Sequence, residues 1–403
     1  MTRNRAALAI PAALVVLSGC GVAAAATART TTVSDVISKP TVAVASLPLR
    51  ALPRPEVVPV AQVVPSTPHP APSTYVVSIL TAGATQWLEI RSHTGAVVAK
   101  TTINPILGWM VEAGAGGAYW SQGGAEYELT PSGAVHKLGL VPADANGVVI
   151  APDGTSYAYT TNDTAKNGLI TNRIVVVRQG AAPVTIADRI DDPNHPPADA
   201  PSAWQYYLIT WNSSGIAFAR VPVGGCGCGS FDMQMQSAFS ASINPVTGVV
   251  TTLTASASCP LSAVGTGMET ACFAGTTTTT SLRVSIAGVL RHSFTMSGTT
   301  VAGDAVFSPA GTELAYVTIP AAEDTCGATW NATLRVLNLA TGAAVSRTLG
   351  EFTPAVWGSD GLLYGSIASN SGSDASLVAV NPATLAVAWL TPAITGQQFI
   401  GIM

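Results

Sequence analysis

The sequence predicts an all-β protein, a β-propeller with seven four-stranded blades. Two turn signatures alternate from about Tyr75 to the C-terminus, between short runs rich in Val, Thr, Ile and Tyr. The first is Ala151–Tyr159, which returns as Ser308–Tyr316, and the second is Leu334–Gly342. Related turns lie at Asn212–Phe218, Gly358–Tyr364, Trp87–Gly95, Ser242–Gly248 and Val378–Thr384. A four-strand unit that repeats about every 40 to 50 residues is typical of small sheets arranged radially.

The composition agrees with this fold class. Charged residues make up 10% of the chain, against about 25% in an average protein. The 38 glycines and 27 prolines indicate short strands separated by tight turns. Aromatic residues recur on the predicted second strand of successive units, where we expect burial between blades rather than a stacking platform for sugars. They are Trp120, Tyr159, Phe218, Tyr316 and Tyr364.

Residues 1–19 have the pattern of a secretory signal peptide. Arg3 and Arg5 precede an apolar run, Ala6–Leu17, that is too short to span a bilayer. The run ends in Leu-Ser-Gly-Cys, which resembles the processing site of bacterial lipoproteins. That resemblance implies lipidation of Cys20 and an anchor in the cell membrane, with the protein facing the extracytoplasmic side. The alternative is an ordinary signal peptide cleaved near Ala23–Ala26, which discards Cys20.

Residues 20–72 are rich in Pro, Ala and Thr and precede the propeller domain, residues 73–403. Nine prolines lie from Pro40 to Pro72. Pro-rich segments favour extended polyproline II at about 3 Å per residue, so about 50 residues reach up to about 150 Å. We predict a tether, and the alternative is a ligand for an aromatic groove on a partner.

The repeat divides Tyr75–Met403 into seven blades. The predicted blades are Val76–Thr101, Ile106–Lys137, Gly147–Ala187, Tyr206–Leu253, Leu261–Met296, Val301–Leu349 and Pro354–Leu390. The fifth blade, with its run Thr276–Thr280, departs most from the pattern. We expect the extra C-terminal strand, Gln398–Ile402, to complete the first blade and close the ring, which removes exposed sheet edges. Six blades with a less regular closure is the alternative.

Five cysteines besides Cys20 are candidates for disulfides, because an exported chain meets an oxidising compartment. They are Cys226, Cys228, Cys259, Cys272 and Cys326. The predicted strands place the first four on one rim, where bridges from the Cys226/Cys228 pair to Cys259 and Cys272 fit sterically, although connectivity stays open. A zinc or iron–sulfur site is the alternative, but Cys-Gly-Cys is not the usual spacing for either.

The longest predicted insertions lie on the same rim, where we expect recognition, because loops on a rigid scaffold carry most binding functions. They are Thr161–Asn172, Arg189–Ala203, Val221–Met233 and Ile319–Trp330. The segment Asp188–Asp199, which overlaps the second insertion, supplies the candidate binding-face residues Asp188, Asp191, Asp192, His195 and Asp199. Oxygen ligands and a histidine suit a divalent ion, but the spacing matches no EF-hand. We therefore predict a solvated acidic loop, with no metal and no cofactor.

Charge and motifs exclude several function classes. A net charge of −4 with 18 scattered basic residues predicts no nucleic-acid binding. None of the five histidines lies beside a Gly-x-Ser-x-Gly elbow, and nothing singles out a facing pair of carboxylates among the 22 acids. The sequence therefore favours a binding protein over an enzyme.

The element Ser308–Tyr316, followed by Leu337–Gly342, resembles the repeat of the TolB-type, WD40-like propellers of bacteria. The resemblance covers most of Tyr75–Met403, although the Trp-Asp ending of WD40 repeats is missing. It implies the fold but no single function, because this repeat occurs in partner-binding proteins, in peptidase accessory domains and in a few enzymes. We predict a lipoprotein whose loop-rich rim binds a protein, or a glycan, of the cell envelope. The alternative is an extracytoplasmic hydrolase or lyase with its active site in the propeller funnel.

Overall fold

The computed structural model describes the propeller strands and most of their connections. The described residues are 73–104, 111–164, 168–191, 204–222, 239–254, 259, 261–276, 279–297, 300–320, 331–368 and 374–403. The predicted signal peptide, Cys20 and the tether, residues 1–72, lie outside this set. Within it the chain is all β, and it contains no helix of the length and apolarity that crossing a membrane requires.

Blades 1 to 4 are separate antiparallel sheets of four strands. Blade 1 contains β1 (Tyr75–Ala82), β2 (Thr85–Ser92), β3 (Val97–Ile103) and β28 (Gln397–Ile402), and blade 2 contains β4 (Val111–Ala113), β5 (Ala118–Gln122), β6 (Ala125–Leu129) and β7 (Val135–Leu140). Blade 3 contains β8 (Ala145–Ile150), β9 (Tyr157–Thr164), β10 (Ile170–Val177) and β11 (Val184–Asp191), and blade 4 contains β12 (Trp204–Asn212), β13 (Gly215–Pro222), β14 (Phe239–Ile243) and β15 (Val250–Thr254).

Blades 5 to 7 complete the ring and confirm the predicted count of seven. Blade 5 contains β16 (Leu261–Val264), β17 (Glu269–Thr276), β18 (Thr279–Ile286) and β19 (Val289–Ser297), and blade 6 contains β20 (Thr300–Phe307), β21 (Glu313–Pro320), β22 (Ala332–Asn338) and the first half of β23 (Ala344–Trp357). Blade 7 contains the second half of β23, β24 (Leu363–Ala368), β25 (Asp374–Val380) and β26 (Val387–Trp389), while the short β27 (Ile394–Thr395) also pairs with β25. Gly350, with φ of +79°, lies where β23 changes partner from β22 to β24.

The C-terminal strand closes the ring as the sequence predicts. β28 pairs antiparallel with β1, with Val76 opposite Ile402. Tyr75 and Met403 extend this ladder, because each donates its backbone N–H to the carbonyl of the other, at 3.2 and 3.0 Å. The innermost strand of blade 1 therefore comes from the opposite end of the domain.

The hydrophobic core lies between blades rather than inside one sheet. Six clusters fill the junctions 1–2, 2–3, 3–4, 5–6, 6–7 and 7–1. The predicted inter-blade aromatics are all buried, from 0% exposed at Tyr364 to 6% at Tyr159. Among the described residues, no cluster joins blades 4 and 5, and the small cluster that includes Ala274 contains no residue of blade 4. Polar bonds cross this junction, such as Ser214 Oγ donating to the carbonyl of Thr266 at 2.7 Å.

A disulfide joins Cys259 to Cys272, with sulfur atoms 2.01 Å apart and Cα atoms 5.2 Å apart. The expected bridges from these residues to the Cys226/Cys228 pair are therefore wrong. The register agrees with this bridge, because Leu261, two residues after Cys259, lies opposite Cys272. The remaining cysteines, Cys20, Cys226, Cys228 and Cys326, lie outside the described residues.

Blade packing leaves no room for a side chain at Gly95, in the turn between β2 and β3. Its φ is +82°, and an added Cβ would clash with the carbonyl oxygen of Leu390 in blade 7. Gly83 has a similar φ of +61°, but an added Cβ there meets nothing within 4 Å. Substitutions at the two glycines therefore distinguish the effect of backbone strain from the effect of contact between blades.

We predict that Gly83→Ala lowers the free energy of unfolding by about 1–2 kcal/mol, through the left-handed conformation alone. Gly95→Ala should lower it by a further ~1–3 kcal/mol, because overpacking pushes blades 7 and 1 apart. Urea unfolding followed by tryptophan fluorescence measures both variants. Equal losses in the two variants would show that the contact between Gly95 and Leu390 contributes nothing to ring stability.

Candidate functional site

The two faces of the ring differ in the length of their connections. We number strands 1 to 4 from the innermost to the outermost in each blade. The turn face carries the connections between strands 1 and 2 and between strands 3 and 4, none longer than six residues, as in 151–156. The loop face carries the connections between strands 2 and 3 and from one blade to the next, which include 192–203, 223–238 and 321–330.

Side-chain hydrogen bonds explain why the turn signatures recur on the turn face. The Oδ1 atom of Asp153 accepts the backbone N–H groups of Thr155 and Ser156, both at 2.8 Å. The Oδ1 atom of Asn338 does the same for Ala340 and Thr341, at 3.1 and 3.0 Å. These are Asx turns, in which a short polar side chain replaces a backbone acceptor. The turn signatures are therefore structural.

The predicted acidic loop is partly a strand. β11 extends to Asp191, so Asp188 and Asp191 belong to the outer strand of blade 3, which we expected to end at Ala187. Arg173 lies opposite Asp188 and forms ion pairs with Asp163 and Asp188, the latter at 3.8 Å. These ion pairs link β10 to its two neighbouring strands, and Asp188 is therefore part of an ion pair on the sheet. The other three candidates, Asp192, His195 and Asp199, lie outside the described residues.

The predicted insertion Thr161–Asn172 is mostly a hairpin. β9 continues to Thr164 and β10 starts at Ile170, with Asn172 opposite Asn162. The amide of Asn172 donates to the backbone carbonyl of Trp204 at 2.7 Å, which ties this hairpin to blade 4. The sequence interpretation failed here because polar residues in paired strands resemble loop residues when the partner strand is unknown.

A cavity of about 730 Å³ occupies the central channel. The innermost strands β4, β8, β12 and β28 supply most of its wall. Residues that join strands 1 and 2 also line it, among them Gly114, Pro152, Ser213 and Thr266. The cavity therefore extends toward the turn face, at the opposite end of the channel from the long connections.

Glu112, on β4, is the one carboxylate in the described lining of this cavity. Its Oε2 atom accepts the backbone N–H of Ile150, on the inner strand of the next blade, at 2.7 Å. Burial raises the pKa of Glu112 to about 8, although the N–H of Ile150 acts in the opposite direction. Burial also raises the pKa of Tyr207, and nearby Glu112 adds to that rise. Near neutral pH, Glu112 is therefore mainly an uncharged acid that both donates and accepts hydrogen bonds.

Glu126 is a second neutral carboxyl group, buried on the third strand of blade 2. It lies on β6, is 1% exposed, and accepts a short hydrogen bond from the hydroxyl of Ser121. Burial raises its pKa to about 8, against the effect of the Ser121 hydroxyl, and Glu112 adds to the rise. Neither glutamate belongs to a recognisable motif, and sequence reasoning missed both of them because only the packing of blades shows that they are buried.

The cavity offers little of the machinery that catalysis needs. Its described lining contains no His, Lys, Arg or Cys side chain. Throughout the described part of the chain, no three His, Cys, Asp or Glu side chains meet as a metal site would require. Glycoside hydrolysis uses two facing carboxylates and triad chemistry uses a nucleophile beside a base, and this lining assembles neither.

No protein-family model matches the chain, and no curated protein does. Among solved structures, the chain is similar to TolB from Acinetobacter baumannii, at 13% identity over 82% of this chain and 67% of that one, with a TM-score of 0.42. It is also similar to the periplasmic gluconolactonase PpgL from Pseudomonas aeruginosa, at 12% identity over 82% and 99% of the two chains, with a TM-score of 0.48. Similarity at this level carries no information about ligand or activity.

The pKa of Glu126 makes stability depend on pH. A glutamate in the unfolded chain releases its proton near the ordinary pKa of 4.5, whereas Glu126 in the fold keeps it up to about pH 8. Stability therefore falls as pH rises between these values, by up to about 1.4 kcal/mol per pH unit for this group. Glu126→Gln should flatten the decline in thermal midpoint between pH 5 and pH 8, and Glu313→Gln on β21 is the matched control. An unchanged decline in Glu126→Gln would show that Glu126 is ionised in the fold.

Proposed function

We propose that this chain is a lipid-anchored, extracytoplasmic propeller that binds a protein, or a glycan, of the cell envelope through its loop face. The observation that carries the proposal is the asymmetry of the two faces. Hydrogen-bonded turns of at most six residues cover the turn face, whereas the connections 192–203, 223–238 and 321–330 all start and end on the loop face. Variable connections on one side of a rigid scaffold are the usual location of recognition sites.

The anchor in this proposal is lipid on Cys20, and residues 20–72 are the tether. The Leu-Ser-Gly-Cys sequence and the nine prolines from Pro40 to Pro72 support it. A single acyl chain binds membranes only marginally, so diacylglycerol supplies the second chain that stable anchoring requires. The tether lets the loop face reach partners at a distance from the membrane.

The rival function is a hydrolase or lyase with its active site in the channel. Its support is the channel cavity with Glu112 in its wall. A single carboxyl group that already accepts the N–H of Ile150, with no described histidine, lysine or arginine near it, is a poor general base or nucleophile. The geometry therefore favours binding.

Photo-crosslinking in intact cells tests the loop face. A photoreactive residue at Pro320, where β21 ends on the loop face, should give adducts with a partner. The same residue at Ala383, an exposed turn position between β25 and β26, should give none. Replacing 192–203 by a Gly/Ser linker should reduce the Pro320 adducts at least fivefold. Adducts from Ala383 alone, or adducts unaffected by the linker, would contradict recognition on the loop face.

Substitution of the lipidated residue tests the anchor. Cys20→Ala should move the protein from the membrane fraction to the soluble fraction and abolish incorporation of an alkyne-labelled fatty acid. Cys326→Ala is the matched control, since it removes a cysteine outside the signal sequence. A Cys20→Ala protein that stays in the membrane fraction would refute the lipid anchor and leave the loop-face binding to be judged by the crosslinking.

A further inference from the structure

We propose that the channel cavity is a second binding site, which takes an uncharged mono- or disaccharide. The cavity of about 730 Å³ lies within the range of small-molecule pockets, about 300–1,000 Å³. It extends toward the turn face, so the site does not depend on the loop-face function proposed above. Three properties of the lining define the ligand class: its free space, its hydrogen-bonding groups and its charge.

Gly147 keeps the cavity open. It lies in a bulge of the inner strand β8, between Ala145 and Val148, where one extra residue faces the ladder of β9. An added Cβ at Gly147 meets nothing within 4 Å, and its φ is not in the left-handed region. Neither sterics nor backbone conformation therefore demands glycine here. A side chain at this position would occupy channel space, and glycine leaves that space to a ligand.

The hydrogen-bonding groups of the lining are uncharged. Asn146, Tyr207 and Thr210 line the cavity from the inner strands of blades 3 and 4, and Thr266 comes from blade 5. Amide and hydroxyl groups both donate and accept hydrogen bonds, which matches the mixed donor and acceptor character of sugar hydroxyls. Trp211, which is partly buried against the apolar cluster between blades 3 and 4, lines the same cavity and would offer an apolar ring to the C–H faces of a sugar.

The charge of the lining makes ionic ligands a poorer fit than uncharged ones. No described lining residue is basic, so an anionic sugar or a phosphate finds no counter-charge. The single acid, Glu112, has an elevated pKa because of burial, so it does not attract cations strongly near neutral pH. As a neutral acid beside Tyr207, it adds one more donor and acceptor pair to the wall.

Saturation-transfer NMR on the full chain tests the proposal with glucose, N-acetylglucosamine, maltose and cellobiose as probes. Glucuronate and glucosamine are the charged comparators. We expect transfer to at least one uncharged sugar, and weaker transfer to both charged ones. Gly147→Leu, whose Cβ meets nothing within 4 Å and whose larger side chain takes up cavity space, should weaken binding at least tenfold. Gly147→Ser is the matched control and should retain it, and thermal midpoints confirm that both variants fold.

Three outcomes would overturn the proposal: no transfer to any uncharged sugar, stronger binding of a charged sugar, or equal affinity in Gly147→Leu and the wild type. Replacing 192–203 by a Gly/Ser linker separates this site from the loop face. Sugar binding that survives the replacement supports the channel site. Sugar binding lost in that variant alone would place the sugar on the loop face, refuting the channel site while supporting the glycan form of the proposed function.

Discussion

The pairing of β28 with β1 is the contact on which the rest of the ring depends. Each blade presents apolar residues on both faces, so it is stable only when a neighbour covers each of them. The chain runs from blade 7 directly into β28, and the ladder between Tyr75–Ala82 and Gln397–Ile402 attaches this strand to the rest of blade 1. Because most apolar clusters lie between blades, opening one junction exposes two apolar faces at once.

Closure of the ring also leaves backbone N–H and carbonyl groups without strand partners around the channel. Each innermost strand pairs on one side only, and its free edge faces the channel, where unsatisfied N–H and carbonyl groups are unfavourable. Glu112 solves this locally by accepting the N–H of Ile150 from the neighbouring blade. The burial that this contact requires raises its pKa to about 8, so the channel wall stays largely uncharged at neutral pH. The same constraint that builds the ring therefore sets the chemistry of the cavity.

The turn face has a structural role, and we assign recognition to the loop face. On the turn face, Asp153 and Asn338 hold tight turns through their own side chains, and glycines such as Gly95 permit contact with the next blade. The polar bonds between blades 4 and 5, including Ser214 to Thr266, lie on this face as well. Little freedom remains there for variable insertions. On the loop face, Asn172 ties one hairpin to blade 4, and the connections 192–203, 223–238 and 321–330 start and end at strand ends on this face.

Local patterns in the chain were enough to predict the seven blades, the closing strand and the burial of the aromatic residues. These features come from turn chemistry and strand alternation, which act between residues close in sequence. Three other features emerged only from the folded ring: Cys259 pairs with Cys272, Asp188 lies in a strand opposite Arg173, and Glu112 is a neutral acid in the channel wall. Each of them depends on strand register or on the approach of different blades, and such contacts leave no periodic signal along the chain.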